Sequence, residues 1–197
     1  HAMAYAIHKY FNDRGFYYLH TPLITANDAE GAGNTFTVTN QEMGKPYKAE
    51  NDFFGRATAL AVTGQLEAET YALAYKRVYT FGPTFRAENS NTKTHAAEFW
   101  MIEPEMAFAE LEDIMELGEG LTRHVVDHAL TRCESDLKLF DNFVDKGLID
   151  RLQHVMTSDF GHVTYTEAVK LLEEHNDKFD YKVFWGCDLQ TEHERYL

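Results

Sequence analysis

The sequence predicts an α+β fold, an antiparallel sheet flanked by helices. Two observations carry that prediction. Residues 78–88 alternate, with Tyr79, Phe81, Phe85 and Ala87 on one side and Thr80, Gly82, Thr84, Arg86 and Glu88 on the other. Residues 99–108 alternate again, with Trp100, Ile102, Met106 and Phe108 opposite Phe99, Met101, Glu103 and Glu105. Period-2 alternation on two runs joined by a polar loop marks an antiparallel hairpin with one buried face. Helical spacing of apolar residues before and after this hairpin supplies the flanking layer.

In chain order, residues 2–13 read as a helix, with Ala4, Ile7 and Phe11 on one stripe and Gly15 as its left-handed stop. FYYLHTP reads as a strand ended by Pro22. EGAGNTFTV is a glycine-containing loop from Glu30 followed by a short strand around Phe36, and residues 40–51 form a polar surface loop. ATALAV is a short strand, and Thr63 is the expected N-cap of a helix over 64–75. On that helix Gln65 and Glu69 share a face with Ala68 beside them, while Leu66, Thr70 and Leu73 are expected to pack inward. Residues 110–140 read as one long helical stretch with a stripe of Leu111, Ile114, Leu121, Val125 and Leu137. Thr164 and Glu167 have capping-box spacing for a helix through Leu172. WGCDL reads as a strand and TEHERYL as the start of a helix. Neither an internal repeat nor an internal domain boundary is visible.

A chain of 197 residues, 44% hydrophobic and 25% charged, is long enough to bury a core. Its formal net charge of −14 argues against holding nucleic acid by bulk electrostatics, and leaves room for a nucleic-acid end gripped by a few local cations. Cys133 and Cys187 are far apart, without metal-ligand spacing, and read as free thiols of a reducing compartment. No apolar run approaches a membrane span, so no membrane partner is expected and the cytoplasm is the expected location. Both ends read as cut from something longer.

The polar face of the hairpin is unusual in carrying specific groups. Arg86 offers a planar fork for a phosphate, Glu88 an acceptor for an adenine amino group, Phe99 a ring for stacking, and His95 a donor from the polar loop, where Lys93 is a second. Taken pairwise, Arg86 and Glu88 would be an ordinary surface ion pair. Glu103 and Glu105 face the same side and read as supporting groups. His124 and His128 have the i, i+4 spacing of a zinc pair, but lack a glutamate after the first histidine and a third ligand, so they read as surface histidines with no metal. Glu192 to Arg195 read as a solvated helical turn.

The string FRAENSNT…HAAEFW…IEPEMAF closely resembles motif 2 of the class II aminoacyl-tRNA synthetases, in the form of the aspartate/asparagine subgroup. KYFNDRGFYYLHTP resembles motif 1, and FGRATALAVTGQLEAETYALA resembles the subgroup's amino-acid-binding segment. The resemblance runs from His1 to about Phe140 and resumes at WGCDLQTEHERYL. It implies that residues 1–197 are part of a class II catalytic core, acting with ATP and Mg2+ on an amino acid and a tRNA acceptor end, and forming a homodimer through the motif 1 region. By position it implies that Arg86 meets the α-phosphate and the amino-acid carboxylate, Glu88 the adenine amino group, Phe99 the adenine ring and His95 the γ-phosphate. Glu30 would reach the substrate's α-amino group and Gln65 would line the amino-acid pocket.

Aspartate enzymes of the subgroup carry a lysine three residues after the glutamine matched by Gln65; here that position is Ala68. Glu69 beside it accepts from a carboxamide and repels a carboxylate, so asparagine is the expected amino acid. Two other readings fit the same core: an ammonia-dependent asparagine synthetase, which Ala68 and Glu69 oppose, and a non-catalytic module that binds nucleotide or dimerises. Two departures bear on these expectations. Thr94 stands where the family carries an arginine before the motif 2 histidine. Motif 3, the late metal ligands and an anticodon-binding domain are not found between His1 and Leu197.

Overall fold

The structure is a computed structural model that describes residues 1–27, 29, 34–89 and 95–197. These residues divide into two compact units, His1–Met156 and Thr157–Leu197. The sequence carries no mark of this division. The division falls at the end of a helix, where no shift to proline, glycine or serine marks a linker.

In the first unit, α1 (Ala2–Asp13) buries Ala6, Ile7, Tyr10 and Phe11. It ends as expected at Gly15, whose φ of +74° a side-chain-bearing residue adopts only at a cost. Gly15 N–H donates to Asn12 O at 3.0 Å and Phe16 N–H to Phe11 O at 3.0 Å, the paired bonds of a Schellman stop. The main sheet has the order β1 (Tyr17–Leu19), β5 (Arg77–Phe85), β6 (Glu98–Met106). The β5–β6 hairpin is antiparallel in the register Thr80↔Glu103 and Thr84↔Phe99, as the alternation requires. β1 joins β5 in parallel, which the long crossover between them permits. A second antiparallel sheet sets β4 (Thr58–Leu60) between β2 (Ile24–Thr25) and β3 (Thr37–Val38).

One face of the main sheet packs on α1 and on α3 (Leu111–Arg132). Their core is Ile7, Tyr10, Phe11, Phe16, Tyr79, Phe81 and Leu117. Tyr10 hydroxyl donates to Leu117 O at 2.9 Å, and a Cβ on Gly120 would lie 2.4 Å from the Tyr10 hydroxyl oxygen, so the close approach of α1 to α3 requires a glycine there. The other face packs on α2 (Gln65–Tyr75) through Ala68 and Ala72 against Val78. This corrects the expected inward face: Leu66 is 41% and Leu73 80% exposed. Small side chains, not large ones, let α2 lie close to the sheet, and β5 is covered on both sides.

The expected 110–140 helix is broken at Cys133 into α3 and α4 (Glu134–Phe143). Leu121, Val125 and Leu137 point inward as read, whereas Leu111 and Ile114 are exposed. Phe108 is 90% exposed with φ +64°, so the strand alternation ends at Met106. His124 and His128 are half-buried, their rings 5.4 Å from Tyr10 and 6.3 Å from Tyr5, so they belong to the α1–α3 packing rather than to the surface. Helix α5 (Leu148–Thr157) takes two bonds from Arg123, to Val155 O at 3.1 Å and Met156 O at 2.8 Å. Among the described residues no helix is long and apolar enough to cross a membrane.

The second unit packs Val169 and Leu172 of α6 (Tyr165–Glu173) against Phe179 and Val183. Its capping box forms as predicted between Thr164 and Glu167. The WGCDL segment is not a strand. It turns at Gly186 (φ +98°), and Tyr165 hydroxyl accepts from Gly186 N–H at 2.8 Å and donates to Cys187 O at 2.7 Å. The EHER turn is not simply solvated either. In α7 (Thr191–Tyr196) the His193 side chain is 1% exposed and T-stacked on Phe179 at 4.9 Å. Gln190 N–H donates to His193 Nδ1 at 2.9 Å, which leaves Nε2 to donate to Tyr181 O at 2.8 Å. His193→Ala removes both bonds and opens a cavity, so it is expected to destabilise the second unit by about 3 kcal/mol. Limited proteolysis followed by mass spectrometry checks this through faster cleavage confined to residues 157–197.

Candidate active site

The candidate site is built from the β5–β6 hairpin and the first turn of α2. Directly opposed residues of an antiparallel pair share a face. The pairs Thr84↔Phe99, Thr80↔Glu103 and Val78↔Glu105 therefore put Phe99, Glu103 and Glu105 on the α2 side of the sheet. Arg86 follows β5 and continues the ladder, its N–H donating to Ala97 O at 3.0 Å. Its half-buried side chain sets the guanidinium carbon 5.6 Å from the Phe99 ring centroid. A cation beside an aromatic face is the pairing that a phosphate with an attached base can use.

On α2, Gln65 Nε2 donates to Glu69 Oε1 at 2.9 Å, so the expected shared face is real. Ala68 is 0% exposed, on the flank turned to the sheet. Helix α2 starts one residue later than read: Gly64 is the N-cap, and Thr63 precedes it. Thr63 Oγ1 accepts from Gln65 N–H at 3.1 Å and donates to the Glu103 carboxylate. Glu103 also accepts from Gly64 N–H at 3.1 Å and from Thr80 hydroxyl at 2.7 Å. A 140 Å³ cavity opens beside this junction, lined by Thr63, Gly64, Thr80, Thr84, Trp100 and Glu103. A larger hollow, 420 Å³, lies among Arg14, Phe16, Arg77 and Phe108 at the other end of the hairpin, remote from the candidate residues in the strand register.

The structure thus brings together Arg86 with Phe99, and Gln65 with Glu69. Glu88 and His95 are exposed where the hairpin opens. Glu30, Lys93 and Thr94 lie outside the described residues. Sequence reasoning undervalued Glu103 and missed Thr80. Their shared face was visible in the alternation, but the bond to α2 joins positions about forty residues apart, which no local pattern signals.

Burial, reinforced by the charges of Glu69 and Glu103, pushes the Glu105 carboxyl up to about 7. Between its ordinary value of 4.5 and 7 the folded chain holds a proton that the unfolded chain releases. This group therefore makes stability fall as pH rises through that window. Glu105→Gln is expected to stabilise the protein by about 2 kcal/mol at pH ~8 and to change nothing at pH ~4. Thermal melts of both forms at the two pH values check it.

The family model for class II tRNA synthetases (D, K and N) matches residues 1–197. The chain belongs to that family. Among its curated relatives, asparagine–tRNA ligase of Clostridium perfringens (strain 13) is 59% identical over 201 residues, 98% of this chain and 43% of the relative. The enzyme of the same name from Acetivibrio thermocellus is 55% identical over 202 residues, 99% of this chain and 44% of the relative. The chain thus spans less than half the length of these synthetases. Among solved structures, asparaginyl-tRNA synthetase from Pyrococcus horikoshii complexed with asparaginyl-adenylate superposes with a TM-score of 0.79 at 25% identity, over 99% of this chain and 40% of that one. The Entamoeba histolytica asparaginyl-tRNA synthetase in complex with asparaginyl-adenylate gives 0.72 at 21% identity, over 99% of this chain and 39% of that one, a likeness of fold. The α+β architecture read from the sequence is therefore the class II synthetase core. Arg86 and Phe99 belong to its β5–β6 hairpin, and Gln65 and Glu69 to its helix α2.

Proposed function

We propose that the chain is part of the catalytic domain of an asparagine–tRNA ligase. Asparagine's carboxylate attacks the α-phosphate of ATP in line, the bond to the β-phosphate oxygen breaks, and asparaginyl-adenylate and pyrophosphate form. A terminal hydroxyl of the tRNA then takes the acyl group and releases AMP. The chain's share of this chemistry is positioning and charge neutralisation, with no covalent enzyme intermediate.

The observation that carries the choice of asparagine is the Gln65–Glu69 pair beside the buried Ala68. The carboxylate of Glu69 accepts from the carboxamide NH2. The charges of Glu69 and Glu103, which both act on Glu105, make the same region repulsive to aspartate. The names of the curated relatives support the reading. In it Arg86 holds the α-phosphate and the substrate carboxylate, Phe99 stacks on adenine, Glu88 accepts from the adenine amino group and His95 approaches the γ-phosphate. Glu30 takes the substrate's α-amino group and Gln65 lines the pocket. Mg2+ enters as the counter-ion of ATP; no described residue is assigned to hold it. The same reading makes the protein a cytoplasmic homodimer joined through α1 and β1.

Glu69→Gln keeps the shape of the pocket and removes the charge. It is expected to lower the preference for asparagine over aspartate at least tenfold, about 1.4 kcal/mol. Competitive adenylation assays with the two amino acids measure it, and an unchanged ratio removes Glu69 from the account.

A further inference from the structure

Helix α2 carries the amino-acid side of the proposed site, yet its N-cap is a glycine with no side chain to offer. The first N–H groups of a helix lack internal partners, and the positive end of its dipole favours an anion. Here both needs are met from the sheet. Glu103 leaves β6 opposite Thr80 and takes three donors at once: Gly64 N–H at 3.1 Å, Thr80 hydroxyl at 2.7 Å and the Thr63 hydroxyl. Because Thr63 gives its only proton to Glu103, its oxygen is left to accept Gln65 N–H, at 3.1 Å. One carboxylate thus ties the first two amides of α2 and a residue of β5 to β6. The approach is close: a Cβ on Gly64 would lie 2.6 Å from Thr21 Oγ1 and 3.0 Å from Thr80 Cγ2.

We propose that Glu103 is a positioning residue for amino-acid recognition, a cap supplied from the sheet that sets where the Gln65–Glu69 face of α2 stands relative to Arg86 and Phe99. It touches no substrate and acts through the backbone of Gly64 and through Thr63. The proposal deepens the asparagine reading and rests on it. A glutamine at this position keeps the size but loses the charge, and must turn an NH2 toward groups that are themselves donors. Thr80 lends itself to a cleaner comparison, since serine keeps the hydroxyl and valine keeps the shape.

The test uses this chain extended to the full length of its relatives, in ATP–pyrophosphate exchange with asparagine and ATP varied separately. Glu103→Gln is expected to raise the KM for asparagine at least tenfold and to leave the KM for ATP within about twofold. Thr80→Val is expected to move the asparagine KM the same way by about threefold, and Thr80→Ser to restore it. Amide hydrogen exchange at residues 64–67 of the unextended chain is expected to quicken in Glu103→Gln and Thr80→Val, not in Thr80→Ser. Equal rises in both KM values, or an unchanged asparagine KM, overturn the proposal. Should Glu103→Gln fail to fold, the Thr80 pair decides by the same criteria. If the unsubstituted protein shows no asparagine-dependent exchange, the asparagine reading fails and amide exchange alone judges the cap: faster exchange upholds it and unchanged exchange overturns it. If Glu69→Gln leaves discrimination intact while Glu103→Gln raises the asparagine KM, the cap stands and the role of Glu69 falls.

Discussion

Arg86→Ala is expected to lower asparagine-dependent ATP–pyrophosphate exchange about 10²- to 10³-fold, the loss seen when one preorganised donor to developing negative charge is removed. The backbone at Arg86 is held by its bond to Ala97 O, and its guanidinium stands over the α2 side of the sheet beside Phe99. In the proposed reaction the attacking carboxylate and the α-phosphate are both anionic and must approach each other. A cation between them is worth more as charge builds than in the ground state, so the loss should fall mainly on kcat. Lysine should not restore the rate, because a point charge cannot hold two oxygens as a planar fork does. Melting curves should show Arg86→Ala within about 1 kcal/mol of the unsubstituted protein, since the residue is only half-buried. A loss below tenfold would remove Arg86 from the reacting centre.

The largest structural effect is expected at Gly64. Its Cβ would lie 2.6 Å from Thr21 Oγ1 and 3.0 Å from Thr80 Cγ2, in the seam where α2 meets the sheet. Thr80 is buried and its hydroxyl is committed to Glu103, so it cannot turn away without breaking that bond. Gly64→Ala should therefore cost about 2–3 kcal/mol as overpacking, and more if α2 lifts from Val78. Gly118→Ala is the matched control. Gly118 lies within α3, with nothing within 4 Å of an added Cβ, and should be neutral or stabilising by about 0.5–1 kcal/mol. Denaturant unfolding of the two variants separates a packing effect from a general property of glycine.

Much of this was legible in the chain. The hairpin could be read because its alternation is a local signal, and the strand register confirms the shared face of Phe99, Glu103 and Glu105. The stop at Gly15 and the Thr164–Glu167 box are likewise settled within a few residues. What failed was long-range. Leu66 and Leu73 look like core residues, but the sheet is approached through Ala68 and Ala72, a contact between distant elements that no local pattern signals. His193 reads as one histidine in a charged turn until Tyr181 and Phe179 fold over it. Thr63 has the residue type of an N-cap, but the anion at this helix end is Glu103 of β6. Of the candidate residues, the structure sets Arg86 beside Phe99 and bonds Gln65 to Glu69. Glu103 could not be ranked above Glu105 until its three donors were in view.

In the proposed function this core activates asparagine. The most direct measurement is ATP–pyrophosphate exchange by the chain extended to the length of its relatives, with asparagine and aspartate in parallel. Exchange is expected to depend on asparagine, with aspartate at least a hundredfold poorer as a substrate. Exchange driven by aspartate and not by asparagine would overturn the proposed function.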